Sequence, residues 1–212
     1  MHFAMKTLAQ PSQKSGFCVR QVDTGHANLG KSQFLAPSLN LRDELNTINH
    51  LPCFVETATC EADTEALAQR LARSPALADA IVTLHGNLGA GKTTWVRHLL
   101  RALGVGGRVK SPTYAVVEGY QTPPGAAWPQ GLAVSHFDFY RFNDPQEWED
   151  AGFRELFAEP GLKLVEWPEK AAELMPGPDA SLTLTPLEGD GRRIEIKAHT
   201  ATGQQLLQAM RP

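Results

Sequence analysis

Ala80-Ile81-Val82-Thr83-Leu84-His85-Gly86-Asn87-Leu88-Gly89-Ala90-Gly91-Lys92-Thr93-Thr94 is the stretch from which the fold follows. Gly86 to Thr93 fits the pattern G-x-x-x-x-G-K-[ST] at every fixed position. Ala80 to Leu84 is a short apolar run with β-branched members and reads as a buried strand. Behind the loop, Val96, Leu99, Leu100 and Leu103 recur at helical spacing, and Gly104 supplies a stop. A strand, a glycine-rich turn and a helix in that order make a phosphate-binding loop. Glycines let the backbone N–H groups approach phosphate oxygens without Cβ clashes. The helix N-terminus adds unpaired donors and a favourable dipole. Lys92 reaches the β- and γ-phosphates, and the Thr93 hydroxyl is placed for magnesium.

Working outward, Cys53 to Thr57 reads as an edge strand, and Asp63 is placed to cap a helix carrying Leu67, Ala68 and Leu71, ended by Pro75. Ala115 to Tyr120 and Leu132 to Phe137 flank the proline-containing loop Gln121–Gly131 as an antiparallel hairpin. Asp144-Pro145 starts a helix. Leu162 to Val165 is a strand ending on Glu166, and Pro168 to Leu174 is expected as a helix stopped by Pro176 and Gly177. Ser181–Pro186 and Arg192–Ala198 alternate around Glu188-Gly189-Asp190-Gly191 as a second hairpin, and Thr202 to Met210 is a terminal helix. The sum is an α/β P-loop NTPase fold with a mixed parallel and antiparallel sheet flanked by helices.

Residues 51–212 are expected to form one domain, and residues 1–50, polar and without sustained periodicity, an extension lacking fixed order, with a short helix over Asn40 to His50. The chain has 212 residues, 42% of them hydrophobic, and a net charge of −3, which disfavours a dedicated nucleic-acid binder. Cys18, Cys53 and Cys60 form no C-x-x-C pair, which suits a reduced cytoplasm better than a disulfide scaffold. No apolar run is long enough for a membrane span, and the N-terminus has no apolar segment of the secretory kind; its scattered Lys and Arg only faintly suggest an organelle-targeting peptide.

A P-loop requires a further acid at a strand end, near magnesium and the attacking water. Asp138 and Glu166 both qualify, and spacing does not choose between them. Thr113, beside Pro112, is either a turn residue or a hydroxyl sensing the γ-phosphate. His136 shares a strand face with Asp138 and is read as structural, because phosphoryl transfer to water needs positioning more than a strong base. Arg97, His98, Arg101, Arg108 and Lys110 form a basic group, either a solvated face or a contact for a nucleic acid or an acidic partner.

Four blocks carry a resemblance. They are Gly86 to Thr94; Val109-Lys110-Ser111-Pro112-Thr113-Tyr114; His136-Phe137-Asp138-Phe139-Tyr140-Arg141 with Asp150-Ala151-Gly152-Phe153; and Val165-Glu166-Trp167-Pro168-Glu169. In order and spacing the chain resembles the TsaE (formerly YjeE) family of bacterial P-loop ATPases over about residues 55 to 200. The resemblance implies ATP and magnesium as ligands, and a role in the threonylcarbamoyl modification of tRNA adenosine 37. TsaE acts with TsaB and TsaD, hydrolyses ATP when bound to that pair, and is not itself the transferase. Contact with tRNA is expected to be indirect or weak, and no membrane is involved.

Residue by residue, the resemblance implies nucleotide contacts from Gly86, Asn87, Leu88, Gly89, Ala90, Gly91, Lys92, Thr93, Thr94, Ser111, Asp138, Trp167 and Arg192. Lys92, Asp138 and Thr113 are the implied catalytic set, and Thr93 and Glu166 the implied magnesium ligands. Trp167 is otherwise a core aromatic, and Arg193 competes with Arg192. The chain departs from the family at Asn87, where Asp or Glu is usual, in its first 50 residues, which have no counterpart, and in the longer loop from Gln121 to Gly131. Other readings are a small-molecule kinase, which would carry a lid with catalytic arginines, and a scaffold that binds ATP without hydrolysing it.

Overall fold

The computed structural model describes residues 51–211. The N-terminal extension and the helix expected over Asn40 to His50 lie outside the described residues. The elements are β1 (Cys53–Ala58), α1 (Glu61–Leu71), β2 (Ile81–His85), α2 (Lys92–Ala102), β3 (Val117–Gln121), β4 (Ala133–Asp138), α3 (Pro145–Asp150), α4 (Phe153–Ala158), β5 (Leu162–Glu166), β6 (Ala180–Pro186), β7 (Arg192–Ala198) and α5 (Ala201–Met210). They build one seven-stranded sheet in the order β1-β7-β6-β2-β5-β4-β3. The central strands β6, β2, β5 and β4 run parallel. Antiparallel partners flank them on both sides: β7 and β1 at one edge, β3 at the other. The mixed sheet expected from the sequence is the one observed.

The two sheet faces are covered differently, and the residue pattern shows why. Every residue of β5 is buried, as a central parallel strand covered on both faces must be. On one face, α1, α2 and α5 pack over Val82, Leu84, Leu164, Leu182 and Ile196, with Trp95, Val96, Leu99 and Leu100 filling the space from α2. Each such fully buried aliphatic side chain contributes about 1.5–3 kcal/mol. On the other face, Phe137, Phe139 and Val165 meet Trp148, Phe153 and Phe157 of α3 and α4. Phe137 stacks on Phe157 at 4.7 Å between ring centroids, and Phe153 meets it edge-on at 5.8 Å.

Three local expectations are corrected. Asp63 lies in the third position of α1, which starts two residues earlier; its carboxylate reaches back to accept from the N–H groups of Thr59 (2.8 Å) and Cys60 (3.3 Å). Pro75 opens a 3₁₀ turn, Pro75–Asp79, and does not end α1. The helix expected from Pro168 to Leu174 is only a 3₁₀ turn, Pro168–Lys170. Pro176 disfavours helical backbone at Met175 and leaves too few residues for a cooperative helix. The short helix α4 has no counterpart in the sequence reading; its six residues are too few for a clear period.

Candidate functional site

The turn after β2 is held open by backbone that only glycine tolerates. Gly86 has φ +135°, and a Cβ there would stand 2.5 Å from the carbonyl oxygen of Leu184. The loop tip, Asn87 to Gly89, is exposed, with Leu88 at 74%. The first helical bond of α2 runs from Trp95 N–H to Gly91 C=O at 2.9 Å. The N–H groups of Lys92, Thr93 and Thr94 therefore have no partner within their helix. They face a cavity of about 310 Å³ lined by Leu88 to Thr94, Ser111, Thr113, Asp138, Tyr140, Glu166 and Trp167. Donors gathered at a helix start beside an ammonium form an anion cradle, and the arrangement fits a polyphosphate.

Lys92 is only 4% exposed. Its Nζ donates to the carbonyls of Gly86 (2.6 Å) and Asn87 (3.1 Å) and lies 3.8 Å above the centre of the Trp167 ring. Burial pushes the ammonium below its ordinary value of 10.5, against the pull of Glu166, Glu169 and Asp138. Trp167 reaches this position from left-handed backbone, φ 57°, and its ring is 5.0 Å from that of Tyr140. It lines the cavity and, half-buried, also packs against the aromatic cluster of Phe137 and Phe139.

Asp138 and Glu166 face each other across the parallel β4–β5 pair. Both candidate acids therefore enter the same cavity, each with its own hydroxyl partners. The Thr93 hydroxyl is shared between the two carboxylate oxygens of Glu166, at 2.9 and 3.1 Å. Its hydrogen is thereby committed, and its lone pairs remain for a cation. Asp138 accepts from the Thr113 hydroxyl at 2.8 Å, from the Ser111 hydroxyl, and from the Tyr140 N–H at 3.0 Å. One hydroxyl and one or two carboxylates suit magnesium, which keeps several waters and takes its remaining oxygens from phosphate.

Arg192 and Arg193 separate cleanly. The Arg192 Nε donates to Ala90 C=O at 3.2 Å, and a Cβ on Gly91 would stand 3.1 Å from that Nε. Arg193 is exposed and pairs with Glu195 at 2.7 Å. Arg192, Gly91 and Thr94 also line a second cavity, about 240 Å³, with Cys60, Glu61, Thr64 and Asp190. The basic group does not form one solvated face. His98 is buried and bonded to Glu61 at 3.1 Å, and Arg97 donates to Val109 C=O at 3.4 Å, while Arg101, Arg108 and Lys110 are exposed.

Two contacts in the site escaped the sequence reading: Lys92 with Trp167, and His136 with Glu166. His136 Nε2 is 2.9 Å from Glu166 Oε1. The placement of His136 two residues before Asp138 was the available signal, but its partner lies on another strand. Among the described residues, no helix is long and apolar enough to cross a membrane.

Comparison with known proteins agrees with this architecture. Residues 58–194 match the family model described as threonylcarbamoyl adenosine biosynthesis protein TsaE. A Haemophilus influenzae protein named tRNA threonylcarbamoyladenosine biosynthesis protein TsaE is 40% identical over 129 residues, covering 61% of this chain and 77% of the relative. Its Rickettsia typhi namesake is 31% identical over 144 residues, covering 68% and 94%. The crystal structure of Bacillus subtilis YdiB shares the fold, with a TM-score of 0.58 at 24% identity over 76% of this chain and 95% of that one. With its glycine loop, its paired strand-end acids and a family match spanning most of the sheet, this chain belongs to the TsaE family.

Proposed function

We propose that the chain is an ATP-binding and ATP-hydrolysing subunit of the machinery that places threonylcarbamoyl on adenosine 37 of tRNA. In this reading it works with TsaB and TsaD and is not the transferase. The observation that carries the ATPase part is the convergence of Asp138 and Glu166 on the P-loop, each held by its own hydroxyls. ATP with magnesium supplies the scissile phosphoanhydride and the neutralising cation.

The residues divide the work. The amides of Gly86 to Thr94 and the Lys92 ammonium hold phosphate oxygens. Thr93 and Glu166 hold the cation. Asp138, oriented by Ser111 and Thr113, faces the space where a water would stand. Arg192, beside Ala90 and Gly91, borders the second cavity, whose position next to Thr94 suits the nucleoside end of the ligand. Turnover by positioning and charge neutralisation needs no stronger base. Contact with tRNA is indirect or weak, in keeping with the net charge of −3, and the setting is cytoplasmic.

The test is ATP hydrolysis by the protein alone, with TsaB–TsaD, and with Lys92→Ala. Stimulation by the pair that is lost in the variant is expected. Tight binding without turnover in any mixture would replace this reading with a non-hydrolysing scaffold. Phosphate transfer to a nucleoside or sugar would replace it with a kinase, although among the described residues no arginine lines the Lys92 cavity.

A further inference from the structure

His136 is fully buried, at 0% exposure, on the α2-covered face of the sheet. Its neighbours two residues either way, Val134 and Asp138, project to the same face. Strand β4 pairs in parallel with β5, so that His136 stands opposite Leu164, and Asp138 opposite Glu166. His136 therefore sits one step beneath the two acids, between them and the core. The only hydrogen bond of its side chain among the described residues is to Glu166 Oε1, at 2.9 Å, and Nδ1 has no partner. A carboxylate only accepts, so Nε2 carries the proton.

Glu166 is 2% exposed and its two oxygens are not equivalent. Oε1 receives His136 at 2.9 Å and the nearer share of the Thr93 hydroxyl at 2.9 Å; among the described residues Oε2 receives only the longer share, 3.1 Å. A hydroxyl has one hydrogen, so Thr93 alone cannot fix the carboxylate's rotation. The imidazole supplies the second fixed point. It occupies Oε1 and leaves Oε2 with the longer Thr93 contact alone among the described residues.

We propose that His136 is a positioning residue that orients Glu166 and Thr93 for a divalent cation. The inference rests on the nucleotide-binding reading given above. Groups that orient a metal-binding side chain from behind typically change metal affinity by about 10- to 100-fold when removed. The role is distinct from general-base catalysis, because the imidazole is fully buried and does not line the cavity.

The experiment uses the full chain and a fluorescent ADP analogue, titrated with magnesium and, separately, in EDTA. The variants are His136→Leu, which removes the donor, and His136→Gln, whose terminal amide reaches the Nε2 position. Folding of each is checked by melting. The expected result is unchanged affinity in EDTA for all three proteins. The magnesium midpoint moves up about 10- to 100-fold in the Leu variant and is largely restored in the Gln variant. Should the Leu variant fail to fold, His136→Asn, whose amide falls short of Oε1, must show the same loss. A wild-type magnesium midpoint in the Leu or Asn variant overturns the proposal. So does equal weakening with and without magnesium, the signature of a merely structural role. Wild-type protein that binds nucleotide but hydrolyses none with TsaB–TsaD defeats the ATPase reading and leaves this proposal standing. Wild-type protein that binds no nucleotide defeats both.

Discussion

Lys92→Met separates what the lysine does for the ligand from what it does for the fold. Lys92 is 4% exposed, with its ammonium against two carbonyls and the Trp167 ring. Burial outweighs the attraction of Glu166, Glu169 and Asp138, so its surroundings favour the neutral amine relative to water. Methionine keeps the stem and offers a thioether that packs well on an indole. The unliganded variant should therefore melt at or above the wild-type temperature. Phosphate binding should respond in the opposite direction. A charge-assisted hydrogen bond is worth about 1.5–3 kcal/mol. At about 1.4 kcal/mol per factor of ten, ATP should bind roughly 10- to 100-fold more weakly. Melting curves with and without nucleotide, together with a binding titration, read both quantities. A variant that melts well below wild type without ligand, or that binds ATP as wild type does, refutes the reasoning.

Other perturbations have equally definite outcomes. Thr93→Val keeps the shape but deprives buried Glu166 of a donor; urea unfolding should show a loss of about 1–3 kcal/mol, and magnesium should no longer strengthen nucleotide binding. Gly86→Ala places a Cβ 2.5 Å from the Leu184 carbonyl in backbone at φ +135°; the overpacking alone costs about 1–3 kcal/mol and should appear as a lowered melting temperature. His85 is held below the ordinary value of 6.5 chiefly by burial, with Glu169 opposing and His199 and Lys92 adding to the shift. The unfolded chain then takes up a proton more readily than the folded one, so this share of stability is present above pH 6.5 and is lost as pH falls through the lower folded value. His85→Asn should accordingly lose less melting temperature than wild type between about pH 7.5 and about pH 5.5.

The glycine loop between β2 and α2 was legible because its signals are local. Glycine spacing, the lysine and threonine that follow, and the flanking apolar runs all act within one strand-turn-helix unit. The hairpin of β6 and β7 and the start of α3 were legible for the same reason. The Asp144 side chain accepts from Gln146 N–H at 2.9 Å, a capping bond that its sequence position alone implies. Local signals misled where a tertiary constraint intervened. Trp167, left-handed at the rim of the cavity, turns the chain immediately before Pro168, and with Pro176 close behind only a 3₁₀ turn, Pro168–Lys170, follows.

By itself, then, the sequence determined a strand, a glycine-rich turn and a helix within a mixed α/β sheet, and family resemblance extended that to a set of candidate site residues. Which residues touch one another was decided by strand order. Parallel pairing of β4 with β5 brings Asp138 and Glu166 into one cavity, where spacing could not choose between them. The return of β7 to the sheet sets Arg192 against the loop and turns Arg193 outward to Glu195. His136 beneath Glu166 and Trp167 beneath Lys92 arise in the same way. The register of strands distant in sequence and the crossings that join them are collective properties of the packed sheet, which no single local stretch of residues encodes.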